Sequence, residues 1–407
     1  MLEKNSLKRW NLGDSWTKFF LIFNAFSWYF MILRIRDNML RVPEMSNSAI
    51  TISIVFSCGI IISSLVGALL SLKVTRNNLL IMWIVIGAIS SFLPIAIVYD
   101  QTTPMVIFVF SILGLTFGFG VPSCLAYFSD HTMIEKRGLS AGIIFVIVNV
   151  ILFPIIALLG TLTLLSSSVF LAVWRMLGLL YLLPRREENE MPKFERPVPF
   201  FSILTAKSFL LYFLPWFAYS LLEAFENVVV SNFLKGDTAL LNSIGAMAIL
   251  LAPLSVLLGG FFADQIGRRR VAIYGFAALG LGYALVGLLP GFVASWYFYA
   301  IAYGISTGVL MLIFVPVLWG DLSESNSRER YYAIGSIPFF AANIIQALSN
   351  EYVALVPVYA SFSLASFFLF LAVLSLAFAS ETLPEKEIEK KRLKKYLETA
   401  KKIKEKY

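Results

Sequence analysis

Two glutamates, Glu223 and Glu226, stand one helical turn apart in an otherwise apolar run. At 100° per residue they share one stripe with Tyr212, Trp216, Tyr219, Ser220 and Asn227. Carboxyl groups so placed can hold a cation, or take up and release a proton as their surroundings dry and rewet. A second stripe, Asn24, Ser27, Trp28, Met31 and Arg34, carries a cation instead, and a guanidinium there would bind a carboxylate or a phosphate. The bland alternative is a structural ion pair, Arg34 with Asp37 at i,i+3 or Arg34 with Glu226. Either stripe must face a cavity or another helix, because a charge against lipid costs at least a few kcal/mol.

No enzymatic constellation accompanies these groups. The one histidine, His131, has no second histidine or cysteine at metal spacing, and no activated nucleophile is visible. No Gly-rich loop ends in Lys-Ser/Thr. We expect no metal, no cofactor and no catalysis, and a gradient in place of ATP as any source of energy.

The elements that must position these residues are membrane helices. Of 407 residues 58% are apolar and only 14% charged, with a mean hydropathy of +0.79, too little polar surface for a soluble chain of this length. Apolar runs of about 20 residues, enough to cross about 30 Å of hydrocarbon, fall at 17–38, 49–71, 79–99, 104–128, 139–160, 163–183, 208–234, 240–263, 271–290, 295–319, 331–349 and 355–379. The expectation is an all-α membrane protein of twelve spans. Interior Pro154, Pro215, Pro253, Pro316 and Pro338 are compatible with it, since neighbouring groups in a bundle re-satisfy the freed carbonyls. The runs are continuous and do not alternate, which excludes a β-barrel. The first begins near Phe19 with no small-residue cleavage site after it, so it reads as a span.

With both termini in the cytoplasm, 27 of the 33 Lys and Arg fall on the inner side, among them Lys73, Arg76, Lys136, Arg137, Arg185, Arg186, Arg268, Arg269 and Arg270, against only Arg41 and Lys235 outside. That asymmetry sets the orientation, in what we expect to be the cytoplasmic membrane, and accounts for a net charge of +8 without nucleic acid. The tail 385–407 holds ten of the cations and keeps Leu393, Tyr396, Leu397, Ala400, Ile403 and Tyr407 on one face, the pattern of an amphipathic helix on anionic inner-leaflet lipids. Cys58 and Cys124 lie at different depths, so no disulfide is expected.

The chain also repeats itself. Gly67 maps onto Gly259, Arg76 onto Arg268, and Gly114, Thr116 and Gly118 onto Gly304, Ser306 and Gly308; the loop from Asp130 to Arg137 answers that from Asp321 to Arg330. The repeat divides the chain into bundles at 1–183 and 208–380, a polar linker at 184–207 and a basic tail at 381–407. The paired glycines have small-xxx-small spacing and should let helices pack closely.

Between the eighth and ninth runs lies Gly260-Phe261-Phe262-Ala263-Asp264-Gln265-Ile266-Gly267-Arg268-Arg269. This stretch resembles the signature loop of the major facilitator superfamily of transporters, and with the twelve spans, the linker and the paired Asp-to-Arg loops the resemblance covers essentially the whole chain. It implies two six-helix bundles rocking around a central site. It also implies an inner gate of Asp130, Arg137, Gly260, Asp264, Gly267, Arg268, Arg269, Asp321 and Arg330, with Asp264 docking near the start of span 11 and Arg330. The first half departs from the pattern, with Ala68, Leu72 and Thr75 where the second has Gly260, Asp264 and Gly267. Arg137-Gly138, Leu183-Pro184-Arg185 and Glu381-Thr382 are similar to motifs of the sugar-porter branch, but span 7 lacks that branch's paired glutamines.

The reading that follows is a monomeric secondary transporter of a small organic solute, coupled to protons through Glu223 and Glu226. Its solute site would draw on Asn24, Trp28, Arg34, Trp216, Tyr219, Glu223, Glu226, Asn227, Asn149, Asn343 and Gln346. Arg34 favours an anionic, carboxylate-bearing solute. The alternatives are an exporter of hydrophobic cations, a sugar-porter-like carrier, and a non-transporting sensor or lipid-handling protein on the same fold.

Overall fold

The computed structural model describes residues 12–40, 48–182, 197–384 and Leu393, and every regular element among them is helical. In hydrocarbon the backbone must satisfy its own hydrogen bonds, and long apolar runs do so as helices. Span 1 is Leu12–Leu40, span 2 Ala49–Leu70, span 3 Arg76–Ser90 continued by Pro94–Tyr99, span 4 Thr103–Asp130, span 5 Arg137–Leu159, and span 6 Leu164–Leu177 with Leu179–Leu182. Spans 7, 8 and 9 are Lys207–Phe233, Thr238–Ile266 and Arg268–Leu288. Span 10 runs from Val293–Leu312 through a π-helical turn, Ile313–Val317, to Leu318–Leu322; spans 11 and 12 are Arg328–Val353 and Val358–Ala377. Eleven are long and apolar enough to cross a bilayer unaided. Span 6, interrupted at Gly178, is the short twelfth.

Several helices run past their apolar stretch into charged flanks. Span 9 starts at Arg268, not 271, and span 11 at Arg328, not 331. For span 9 the reason is that its first backbone donors find a side-chain acceptor, as shown below.

The chain clusters into two compact units, 1–132 with 150–195 and 133–149 with 196–407. The division falls inside span 5, so the first part of that helix groups with the second unit. Within the first unit span 2 packs along span 4, and span 1 lies against spans 4 and 6; within the second, span 8 packs along span 10, and span 7 against spans 11 and 12. The paired glycines make the close contacts. A Cβ on Gly114 would lie 2.5 Å from the carbonyl oxygen of Phe56 on span 2, and one on Gly308 2.5 Å from that of Ala252 on span 8, distances at which no side chain fits. Both cysteines are free thiols. Arg41, Arg185, Arg186, the linker through 196 and, Leu393 apart, the tail 385–407 lie outside the described residues.

Candidate functional site

Span 7 turns its polar stripe toward helices of its own unit. Tyr212 donates to the Ser380 carbonyl at 2.7 Å, and the Trp216 indole to that of Gly335 at 2.9 Å. Trp216 also stacks on Phe314 at 5.0 Å between ring centroids and on Tyr219 at 5.5 Å. The glutamates meet phenols: Tyr303 of span 10 donates to Glu223 at 2.7 Å and Tyr283 of span 9 to Glu226 at 3.1 Å. Glu226 is buried and Glu223 half-buried. No basic side chain forms an ion pair with either among the described residues. One turn of helix therefore presents two carboxylates, fixed by hydroxyls of two other spans and free to exchange a proton or receive a cation. Neither tyrosine carried a sequence signal, since the chain has 17 tyrosines and nothing in their spacing marks these two. Asn227 is exposed, Asn149 is exposed and bonded to its own helix at the Phe145 carbonyl, and Asn343 and Gln346 are half-buried on span 11.

The stripe on span 1 also faces its own unit. Asn24 donates to the Trp174 carbonyl at 2.6 Å and accepts from Arg175 at 2.8 Å, and the Trp28 indole donates to Ser91 at 2.8 Å. Asn24 and Trp28 thus tie span 1 to spans 6 and 3. The polar periodicity is real, but it answers span 6 and span 3. Asp37 pairs with Arg36 at 2.9 Å, not with Arg34. Arg34 is half-buried, and a Cβ on Gly160 would lie 3.4 Å from its Nη2. The sequence reading missed Arg175, a fully buried cation inside span 6. A lone basic residue within an apolar run was the available signal, masked by its closeness to the basic flank at 185–186.

The third cluster is ionic, at the end of the helices that carries Arg268. In the first unit Arg76, at the start of span 3, pairs with Asp130 at the end of span 4. In the second unit the repeat reproduces this: Arg268, at the start of span 9, pairs with Asp321 at the end of span 10 at 3.0 Å. Arg137 joins the same carboxylate, whose side chain is completely buried. Asp264 pairs with Arg268 at 2.8 Å and accepts from the backbone of Gly138 at 2.9 Å and Leu139 at 2.7 Å. It therefore caps the start of span 5. The expected partners were the start of span 11 and Arg330; Arg330 donates to the Val198 carbonyl at 2.7 Å and lies over the Phe200 ring. The attraction of a carboxylate to a helix N-terminus operates here at the start of span 5. Gly260 is required at this junction, since a Cβ there would strike the Gly138 carbonyl.

Glu381, just beyond span 12, completes the cluster. It accepts from the backbone of Arg268 at 2.8 Å and of Arg269 at 3.2 Å, so it caps span 9, while Arg269 donates to the Ala379 carbonyl at 2.7 Å. Gly267 has a φ of 104°, which admits the tight reversal between spans 8 and 9. Among the described residues no group of side chains could hold a metal ion.

The sequence profile of the Major Facilitator Superfamily matches residues 18–312. Among solved structures, the proton:xylose symporter XylE bound to 6-bromo-6-deoxy-D-glucose has a TM-score of 0.67 at 15% identity, covering 91% of this chain and 96% of that one. The human organic anion transporter MFSD10 (TETRAN) has a TM-score of 0.64 at 14% identity, covering 89% and 98%. The fucose:proton symporter FucP of E. coli has 0.63 at 10%, covering 91% and 98%. At these identities the likeness is one of fold. No curated protein matches the sequence.

Proposed function

Because the chain belongs to the major facilitator superfamily and is a multi-pass membrane transporter, we propose that it is a secondary active carrier that moves a small organic solute by alternating access, coupled to protons. It sits in the cytoplasmic membrane with both termini inside, its two bundles at 1–183 and 208–380 joined by a cytoplasmic linker, its basic tail against anionic lipid. The observation that carries the coupling is the pair Glu223 and Glu226, held by Tyr303 and Tyr283 and in no ion pair among the described residues. A carboxyl group in such a setting changes proton occupancy when helix movement admits water or solute. Two of the proteins with this fold, XylE and FucP, are proton symporters, which supports this reading. The ionic cluster of Asp264, Arg268, Asp321, Arg137 and Glu381 serves as the inner gate, closed when the start of span 5 is bound to span 8. An anionic, carboxylate-bearing solute is favoured by Arg34, a half-buried cation of the first unit.

The test is accumulation in proteoliposomes driven by a pH gradient alone. Glu223→Gln should retain solute exchange and lose accumulation, and Glu226→Gln should weaken solute binding. Accumulation by the double Gln variant would refute the mechanism. One observation favours a second reading: two carboxylates among Tyr219, Tyr283, Tyr303 and Trp216 would also suit export of a hydrophobic cation. That reading requires both Gln variants to lose binding of a lipophilic cation while anion binding is untouched.

A further inference from the structure

Arg175 is the most deeply buried charge of the first unit that nothing above employs. Its side chain is wholly enclosed, and its guanidinium carbon lies 4.0 Å from the centre of the Trp83 ring and 4.8 Å from that of Trp28. The flat faces are thus given to indoles, a favourable use of a desolvated guanidinium. The donors lie in the plane, and only one is engaged, Nη1 with the Asn24 oxygen at 2.8 Å. Nε and Nη2 have no hydrogen-bond partner. These two nitrogens form the side-on edge of the guanidinium, the fork that receives both oxygens of one carboxylate.

No acidic side chain forms an ion pair with Arg175 among the described residues, since Asp130 is held by Arg76 and Asp37 by Arg36. The fold does not require a cation at this point. Near the repeat offset the second unit has Ser366, whose hydroxyl donates to the Gly280 carbonyl at 2.9 Å. The residue of span 3 against the fork has no side chain: residue 87 is glycine, and a Cβ there would lie 2.8 Å from Nε. Its neighbours Ser90 and Ser91 turn their hydroxyls back onto the Gly87 carbonyl, at 3.0 and 2.7 Å. The indoles of Trp28 and Trp83 are likewise oriented by bonds of their own, to Ser91 and to the Thr116 carbonyl at 2.8 Å each. A buried cation, oriented on every side except its bidentate edge, is built to receive something.

We infer that the side-on edge of Arg175 is the recognition element for the carboxylate of the solute, with Trp28 and Trp83 flanking it. The inference rests on the proposed transport reading and deepens it by moving anion selection from Arg34 to Arg175. The site is closed in this conformation, so a ligand reaches it when the packing of spans 1, 3 and 6 loosens during the cycle.

The experiment uses the full chain in nanodiscs, with benzoate, acetate, chloride and glucose as probes, read by thermal shift and by quenching of tryptophan fluorescence. Benzoate and acetate should stabilise and quench, benzoate more strongly, with chloride weak and glucose silent. Arg175→Lys keeps the charge and loses the fork, and should weaken benzoate at least about tenfold, the effect of one lost charge-assisted hydrogen bond. Gly87→Ala keeps the arginine and presses on Nε, and should weaken benzoate in the same direction; it decides the matter where the lysine variant fails to fold. Benzoate binding within twofold of wild type in the folded lysine variant, or in the alanine variant when the lysine one does not fold, overturns the proposal. So does chloride binding as well as acetate. Glu223→Gln/Glu226→Gln separates the two readings: benzoate binding retained while pH-driven accumulation persists refutes the coupling and leaves the anion site standing.

Discussion

Replacing Asp264 by Asn removes one atom's charge and reverses one donor–acceptor relation, and its cost can be worked from the contacts. The carboxylate accepts two backbone N–H groups, from Gly138 at 2.9 Å and Leu139 at 2.7 Å, and pairs with Arg268 at 2.8 Å. An asparagine whose oxygen keeps Gly138 and Arg268 must turn its NH2 toward the N–H of Leu139. One charge-assisted hydrogen bond is lost, about 1.5–3 kcal/mol, together with the interaction of a negative charge with the start of span 5, about 0.3–1 kcal/mol. Arg268 remains held by Asp321, so the ion pair is weakened and not orphaned. The total, about 2–4 kcal/mol, corresponds to roughly 30- to 1000-fold in the equilibrium between the bonded and the released junction. The assay is the labelling rate of a cysteine at Ile134, beside the acceptor of Arg268, in inside-out vesicles from a background lacking Cys58 and Cys124. Asp264→Asn should raise that rate toward the fully open limit. Leu72→Asn, at the position where the first half has no carboxylate, should leave it within about 0.5 kcal/mol. Equal effects of the two substitutions would refute the claim that the Asp264 carboxylate holds this junction closed.

Gly267→Ala should be destabilising on two counts: φ of 104° with ψ of 153° is a region kept almost entirely by glycine, costing about 1–3 kcal/mol, and the added Cβ would collide with the Glu381 carboxylate. Its loss in melting temperature should be less than additive with that of Glu381→Gln, because both uncap span 9; full additivity would show that the cap is not what glycine protects. For orientation, cysteines at Gln101 and Gly236 should react with an impermeant reagent added to intact cells and a cysteine at Lys73 should not; the reverse pattern would invert the assignment of sides.

The sequence by itself determined the class, the number of spans and the repeat. A span needs about 20 apolar residues, and such runs are legible without knowing what they touch. That spans 4 and 10 pack closely was legible for the same kind of reason, since glycines at positions 114 and 118 and at 304 and 308 leave backbone where side chains would stand; that they meet spans 2 and 8 was not. The signature loop identified Asp264, Arg268 and Gly267 as a unit. Tertiary structure alone decided what each polar residue faces. Helical periodicity shows that Asn24, Trp28, Glu223 and Glu226 avoid lipid, but a stripe is equally periodic whether it meets a cavity, a neighbouring helix or a phenol. Asn24 and Trp28 proved to answer Arg175 and Ser91, and the glutamates Tyr303 and Tyr283. The contact of Asp264 with the start of span 5 was likewise hidden, because every helix N-terminus attracts a carboxylate and only packing brings this one within reach. Arg175 shows the same limit: its place in the chain is visible to any reader, but that its fork stands unpaired beside two indoles is a fact of three helices far apart in sequence.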